Sequence, residues 1–185
     1  IARDFTEEVR KYLNNKYGFK ALYKKGLNVR STIDTFYQEE AYKTLKWGLE
    51  EYDKRHGWRG PIENISDIKN FKNFKYGSNF PANWELAVIY KEKKDIIYLK
   101  LQNDERIEII FDKKSWIKKN HFNLLKIGDI LFVKAKEDFF EIKQIPEVNG
   151  ALVVLDPFTG KVLSLVGGYD FLLSEFNRST QANRQ

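Results

Sequence analysis

The side chains that could do chemistry in this 185-residue chain are few. There is no cysteine, which removes thiol nucleophiles, disulfides and Cys-based metal sites together. The two histidines, His56 and His121, are too few for a His-based metal centre. Hydroxyl nucleophiles remain: Ser31, Ser66, Ser78, Ser115, Ser164, Ser174 and Ser179. A serine with a lysine three residues on can act as a nucleophile when both share a helical turn, because the amine takes the proton as the hydroxyl attacks. Ser66/Lys69 and Ser115/Lys118 have that spacing. The first pair lies in a polar connector and the second in an irregular excursion. A two-residue pattern also recurs by chance, so neither is expected to be catalytic. No catalytic residue, metal ligand or cofactor site is expected.

Two other groupings invite binding readings. Trp84, Tyr90, Tyr98, Phe111 and Trp116 could stack bases, with lysines on phosphates. Aromatics in strands more often pack a core, and the charge pattern argues the same way. The net charge of +6 divides as +4 over residues 1–60, +3 over 61–145 and −1 over 146–185, with no block of five like charges. No nucleic-acid partner is expected. The cluster His56, Trp58, Arg59 follows a helix stop, so His56 should sit near the negative helix end, Trp58 should pack and Arg59 should pair with a carboxylate.

These residues need elements to hold them. With 42% hydrophobic and 15% aromatic residues the chain is too apolar for a disordered tail. Phe5, Val9, Leu13 and Tyr17 recur every four residues, which predicts a helix over 3–17 ended by Gly18. Alternation predicts a strand over Leu27–Ile33. Thr35 with Gln38 reads as a capping box for a helix to Arg55, with Ala41, Leu45, Gly48, Leu49 and Tyr52 on its buried face and Gly57 as its stop. From Gly60 to Pro81 the pattern breaks into a long connector with one short helix near 65–74. Its rings Phe71, Phe74, Tyr76 and Phe80 form a candidate partner-docking surface, the plainer reading being that they pack the connector down.

Residues 84–145 then read as five short strands: 84–91, 96–101, 105–111, 130–135 and 138–144. An irregular excursion follows the third, the order of a five-stranded OB-like barrel. The tail changes character. Residues 151–155 and 162–166 are apolar on both faces and are joined by Asp156-Pro157-Phe158-Thr159-Gly160, a turn sequence. A hairpin apolar on both sides belongs inside a larger structure. Little in the last 19 residues could cover it, so exposure, dimerisation through the hairpin, and disorder or an unnatural packing after about Gly168 are expected. The chain also lacks Met everywhere, including position 1. It therefore reads as a piece of a longer protein, cut just inside another domain.

The tail from Gly150 to Gly168 resembles the opening hairpin of the transpeptidase domain in class A (bifunctional) penicillin-binding proteins. Phe176-Asn177-Arg178-Ser179-Thr180-Gln181 and the run on to Arg184-Gln185 resemble the segment just ahead of their nucleophile. Tyr52 to Pro61 resembles the end of their linker helix in the 1A type, and Leu124–Val133 with Gln144–Gly150 resembles the end of their inserted OB-like domain.

The resemblance implies three parts: an interdomain linker over 1–60, the OB-like domain over 61–145, and the start of a transpeptidase domain over 146–185. The implied fold is mainly β with α, an OB-like barrel flanked by linker helices and a hairpin. The implied parent is a peptidoglycan glycosyltransferase and D-Ala–D-Ala transpeptidase. It is anchored through a segment outside this chain on the periplasmic side of the inner membrane, with an outer-membrane lipoprotein activator as a candidate partner. The family's Ser-x-x-Lys would fall just beyond Gln185, and its Ser-x-Asn and Lys-Thr-Gly partners are absent here. Asn177, Arg178, Gln181 and Arg184 then read as scaffolding for the missing nucleophile helix, without partners in this chain. The competing reading is a stand-alone OB-fold module that binds nucleic acid or protein.

Overall fold

The computed structural model describes residues 2–112 and 115–183. The chain divides into two units. One comprises Ile1–Glu51 with Val148–Gln185, and the other is Tyr52–Glu147. The mainly β, OB-like architecture with flanking helices is present.

In the first unit, helix α1 (Arg3–Lys24) is longer than its periodicity predicts but breaks at Gly18, where φ is 75° and ψ 162°. Glycine reaches that backbone region at low cost. Helix α2 spans Thr35–His56, and its residues from Tyr52 onward belong to the second unit. Its start differs from the expected capping box. Asp34 caps it, its Oδ1 accepting from the amides of Phe36 (2.9 Å) and Tyr37 (3.2 Å). Gln38 is instead buried. Ala41 is buried as expected, but Tyr52 is exposed. The segment 27–33 forms no strand.

Strands β7 (Leu152–Leu155) and β8 (Val162–Val166) make an antiparallel hairpin that is a two-stranded sheet of its own. Its sheltering is uneven. Ser164, Leu165 and Val166 are buried, whereas Val153 and Leu155 are 43% and 55% exposed. The unit's own residues cover more of the hairpin than its composition suggested, because residues 32–38 and α1 lie against β8. Residues 169–183 pack down where disorder or an unnatural packing was expected. Tyr169 and Asn177 are both buried.

The second unit holds a six-stranded antiparallel sheet. Strands β1 (Glu63–Asn64), β2 (Glu85–Lys93), β3 (Ile96–Leu101), β4 (Arg106–Ile110), β5 (Asp129–Ala135) and β6 (Phe140–Lys143) run in the order β1-β5-β2-β3-β4, and β6 pairs with β5. β2 to β6 are the five expected strands; the two-residue β1 is additional. The barrel is not closed by a ladder, since no pairing joins β4 to β6. The indole of Trp116 donates to the carbonyl of Ile142 at 3.0 Å, satisfying one group on the free edge of β6. Trp116 lies in the excursion, whose described residues include one short helix, α3 (Lys119–Phe122).

Alternation along β2 and β5 builds two apolar layers. Ala87, Ile89, Leu131 and Val133 join Ile97, Leu99, Leu101, Ile142 and Trp58 in the main core. Leu86 and Val88 lie opposite Phe132 and Ile130 on the other face, and all four are buried. The connector is their cover. Its 3-10 helix (Ile68–Asn73) packs on β2, and Phe71 is 2% exposed. Burying each such large side chain contributes roughly 1.5–3 kcal/mol.

Gly128 marks the tightest point. Its φ is 92°, its N–H donates to Ile89 (2.8 Å), its C=O accepts from Ile65 (2.9 Å), and a Cβ there would run into the Ile65 carbonyl. Gly128→Ala should therefore cost about 3 kcal/mol, combining left-handed strain with a backbone clash. A thermal melt should show Tm lower by ~10 °C or more; a Tm within ~2 °C of the parent value would contradict this account.

Candidate functional site

The sequence-predicted nucleophile pairs do not assemble. Ser66 and Lys69 are both exposed with no hydrogen bond between them, and Asp67 uses its carboxylate to cap the 3-10 helix through the Lys69 amide at 3.0 Å. Ser115 Oγ donates to Asp112 Oδ1 (3.3 Å) and accepts from the Asp112 amide (3.1 Å), while Lys118 is exposed. Among the described residues no three His, Cys, Asp or Glu side chains gather as a metal site.

The stacking aromatics are dispersed. Trp84 is buried against Phe132, Phe111 packs on Phe122, and Trp116 faces Ile142. Tyr90 and Tyr98 are 6.3 Å apart, each with a cation over its ring. Phe71 packs beside Phe74, and Tyr76 and Phe80 each sit 5.1 Å from the Phe132 ring. Phe74, Tyr76 and Phe80 stay half-exposed; Phe71 has no surface to offer. Tyr76 and Phe132 also line a shallow open cleft of ≈ 180 Å³ with Arg59 and Lys143. Both cations are committed, Arg59 to Asp53 and Lys143 to Glu141, so neither charge is left to recruit a ligand.

What the second unit does bring together is a buried carboxylate at its two chain ends. Asp53, 3% exposed, accepts from Arg59 Nη1 (2.9 Å), Gln144 Nε2 (2.7 Å) and the Glu147 amide (3.2 Å). Arg59 Nη2 also donates to the Ile145 carbonyl at 2.6 Å, and Gln144 Nε2 to that of Gly57 at 3.0 Å. The segment entering the OB-like sheet, Gly57–Arg59, is thereby tied to the one leaving it, Gln144–Glu147. The expected roles of the flanking cluster hold. His56 Nδ1 lies 2.9 Å from the Tyr52 carbonyl, Trp58 is in the core, and Arg59 pairs with a carboxylate.

Nearby, Glu141 meets Lys54 at 2.8 Å and Lys143 at 3.1 Å. Burial works to raise its carboxyl, but the two lysines outweigh burial and hold it below the usual range.

The first unit carries a second set of polar clamps. Gln38 Nε2 donates to the Leu165 carbonyl (3.1 Å) and its Oε1 accepts from the Leu165 amide (2.9 Å), so one side chain satisfies both backbone groups on the outer edge of β8. Thr32 Oγ1 and the Asp34 amide serve the carbonyls of Val162 and Leu163. Asn149 Oδ1 accepts from the Tyr169 amide at 2.8 Å, and the Tyr169 hydroxyl donates to Glu50 at 2.8 Å. Burial, reinforced by Glu50, raises the pKa of that hydroxyl.

Asp4 and Asn177 converge on Gly167, where any Cβ would strike both side chains. Burial pushes the Asp4 carboxyl up against a hydrogen bond from the Gly167 backbone. The tail residues expected to lack partners have them. The Arg178 amide donates to Gly167 (2.9 Å), Asn177 Oδ1 accepts from Ser179, and Gln181 Oε1 accepts from the Asn177 amide (2.8 Å). Arg184 lies outside the described residues. Sequence reasoning missed Gln38, Asp53 and Asn149. Asp53 alone left a signal, an acid six residues ahead of Arg59 in the last turn of a helix.

Removing Asp53 strands three donors. Asp53→Ala should destabilise the OB-like unit by about 3 kcal/mol, near the low end for breaking a buried pair because Arg59 is partly solvated. Asp53→Asn should cost less, and urea unfolding followed by tryptophan fluorescence measures both. Equal, negligible losses would remove Asp53 as the tie. For Glu141, a lowered folded pKa means a stabilisation present above the unfolded pKa and lost as pH falls through the folded one. The urea-midpoint gap between the parent and Glu141→Gln should be widest near pH 7, narrow as pH falls past the unfolded value of about 4.3, and close only below the lower folded one; a pH-independent gap would refute the ion-pair account.

Residues 58–148 match the family model described as the Penicillin-binding protein OB-like domain. Penicillin-binding protein 1A of Rickettsia typhi is 38% identical over 190 residues, covering 100% of this chain and 24% of that protein. Penicillin-binding protein 1A of Escherichia coli K12 is 30% identical over 204 residues, covering 97% and 23%. The crystal structure of Penicillin-Binding Protein 1A from Haemophilus influenzae superposes with a TM-score of 0.78 at 28% identity, over 97% of this chain and 28% of that one. The chain spans about a quarter of the length of the curated relatives it matches. The chain therefore belongs to the class A penicillin-binding proteins of the 1A type, as a segment carrying their OB-like domain.

Proposed function

We propose that this chain is a non-catalytic positioning segment of a peptidoglycan synthase. In that reading residues 1–60 link from a glycosyltransferase domain, 61–145 are the OB-like insert, and 146–185 begin a transpeptidase domain. The observation that carries it is the set of polar ties at element ends. Asp53 fixes where the insert begins and ends, and Gln38 bolts the start of α2 to β8. Neither touches a group capable of bond-making. Similarity along nearly all of this chain to about a quarter of each penicillin-binding protein 1A supports the same parent.

The exposed Val153 and Leu155 and the single partner of β7 suit a hairpin completed by the rest of a transpeptidase domain. The Asn177–Gln181 turn suits a support placed just ahead of a nucleophilic serine. Such a parent works on the periplasmic side of the inner membrane, anchored by a segment outside this chain. An activator-docking role for the connector narrows to Phe74, Tyr76 and Phe80.

Incubation with a fluorescent penicillin tests the reading. The 185-residue chain should stay unlabelled, while the longer protein containing it should be acylated at a serine beyond residue 185. In that longer protein Asn177→Ala should slow acylation by roughly tenfold, about 1.4 kcal/mol, by loosening the turn rather than removing a reacting group. Covalent label on Ser66 or Ser115, or an unchanged rate in the variant, would count against it.

A further inference from the structure

We propose that the face formed by residues 10–30 docks on an anionic lipid bilayer. Between Glu8 and Asp34 the chain carries Arg10, Lys11, Lys16, Lys20, Lys24, Lys25 and Arg30, and no acidic residue. Arg10 and Lys11 are paired with Glu7 and Glu8. The other five are exposed, and no carboxylate pairs with them among the described residues. Interleaved with them are Tyr12 (61% exposed), Tyr17 (53%), Phe19 (65%) and Tyr23 (54%).

The break at Gly18 turns this run into a patch. On a straight helix Arg10 and Tyr23 would lie about 20 Å apart along the axis, yet Arg10 Nη1 reaches the Tyr23 hydroxyl at 3.4 Å. The kink at Gly18 therefore turns the second half enough to bring Tyr23 within reach of Arg10. Lys16 lies 5.5 and 5.4 Å from the Tyr12 and Tyr17 ring centres.

Large rings held in water beside unpaired lysines match the headgroup layer of a membrane. There the ring bodies leave water, their hydroxyls stay wet, and the ammonium groups meet phosphate. Each lysine near an anionic surface is worth roughly a fivefold gain in partitioning. A covering protein domain fits less well, because buried interface cores are depleted in lysine. Among the described residues no helix is long and apolar enough to cross a membrane, so the contact would be peripheral. The proposal stands on these residues and is independent of the reading of residues 146–185.

Co-sedimentation of the 185-residue chain with vesicles tests it. Vesicles of phosphatidylcholine and phosphatidylglycerol at about 7:3 should bind at least tenfold more protein than pure phosphatidylcholine, and binding should fall as salt rises. Lys16→Glu/Lys20→Glu/Lys24→Glu should lose binding by more than tenfold, and Tyr17→Ser/Phe19→Ser by severalfold at low salt. Should the charge reversal disturb folding, Lys20→Gln/Lys24→Gln with an unchanged melt reads the same term. No binding, equal binding to both vesicles, or a preference for single-stranded oligonucleotide through the same lysines would each overturn the proposal.

Discussion

A carboxylate removed from water must be met by donors, and that requirement at Asp53 organises the OB-like unit. Leaving it unpaired would cost several kcal/mol. The donors are a guanidinium two residues beyond the helix stop, an amide side chain at the end of β6 and a backbone amide three residues later. They converge only if the chain's entry into the sheet and its exit lie side by side.

The same chemistry, with neutral amides, governs the first unit. β8 has a strand partner on one side only, and an unmet edge invites unwanted pairing. Gln38 stands in for a neighbouring strand by offering both a donor and an acceptor to Leu165, with Thr32 and Asp34 extending the service to Val162 and Leu163. β7 has no such escort among the described residues, and its outward Val153 and Leu155 are the apolar residues left in water. One edge of the hairpin is finished within this unit and the other is not.

The basic, aromatic face of residues 10–30 differs in kind from these ties. Five of its cations, Lys16, Lys20, Lys24, Lys25 and Arg30, have no carboxylate partner among the described residues and its rings are exposed, whereas almost every polar group in the clamps is spoken for. Surfaces closed by internal hydrogen bonds hold elements in place. A surface that leaves lysine and tyrosine side by side in water is suited to an external partner of opposite charge.

Much was legible in advance because period and punctuation are local properties. Ile96–Leu101 and Ile130–Ala135 alternate cleanly, Lys94 and Asp104 sit at left-handed turn positions, and Gly18 and Gly57 end helical runs. The motifs around Gly150–Gly168 and Tyr52–Pro61 carried the family resemblance for the same reason. Residues 27–33 alternate well enough for a strand but form none. The polar-looking connector proved to be the second cover of β2 and β5, since its few rings find Phe132 only after the sheet exists. The amino-acid order by itself thus determined the helix from Thr35 and the five strands from Glu85 to Lys143. Only the tertiary structure decided that Asp53 and Gln38 are the ties, that the barrel seam stays open with Trp116 at its edge, and that Tyr169 and Asn177 are buried. Those outcomes depend on donors and acceptors up to 127 residues apart meeting in low dielectric, which no local pattern records.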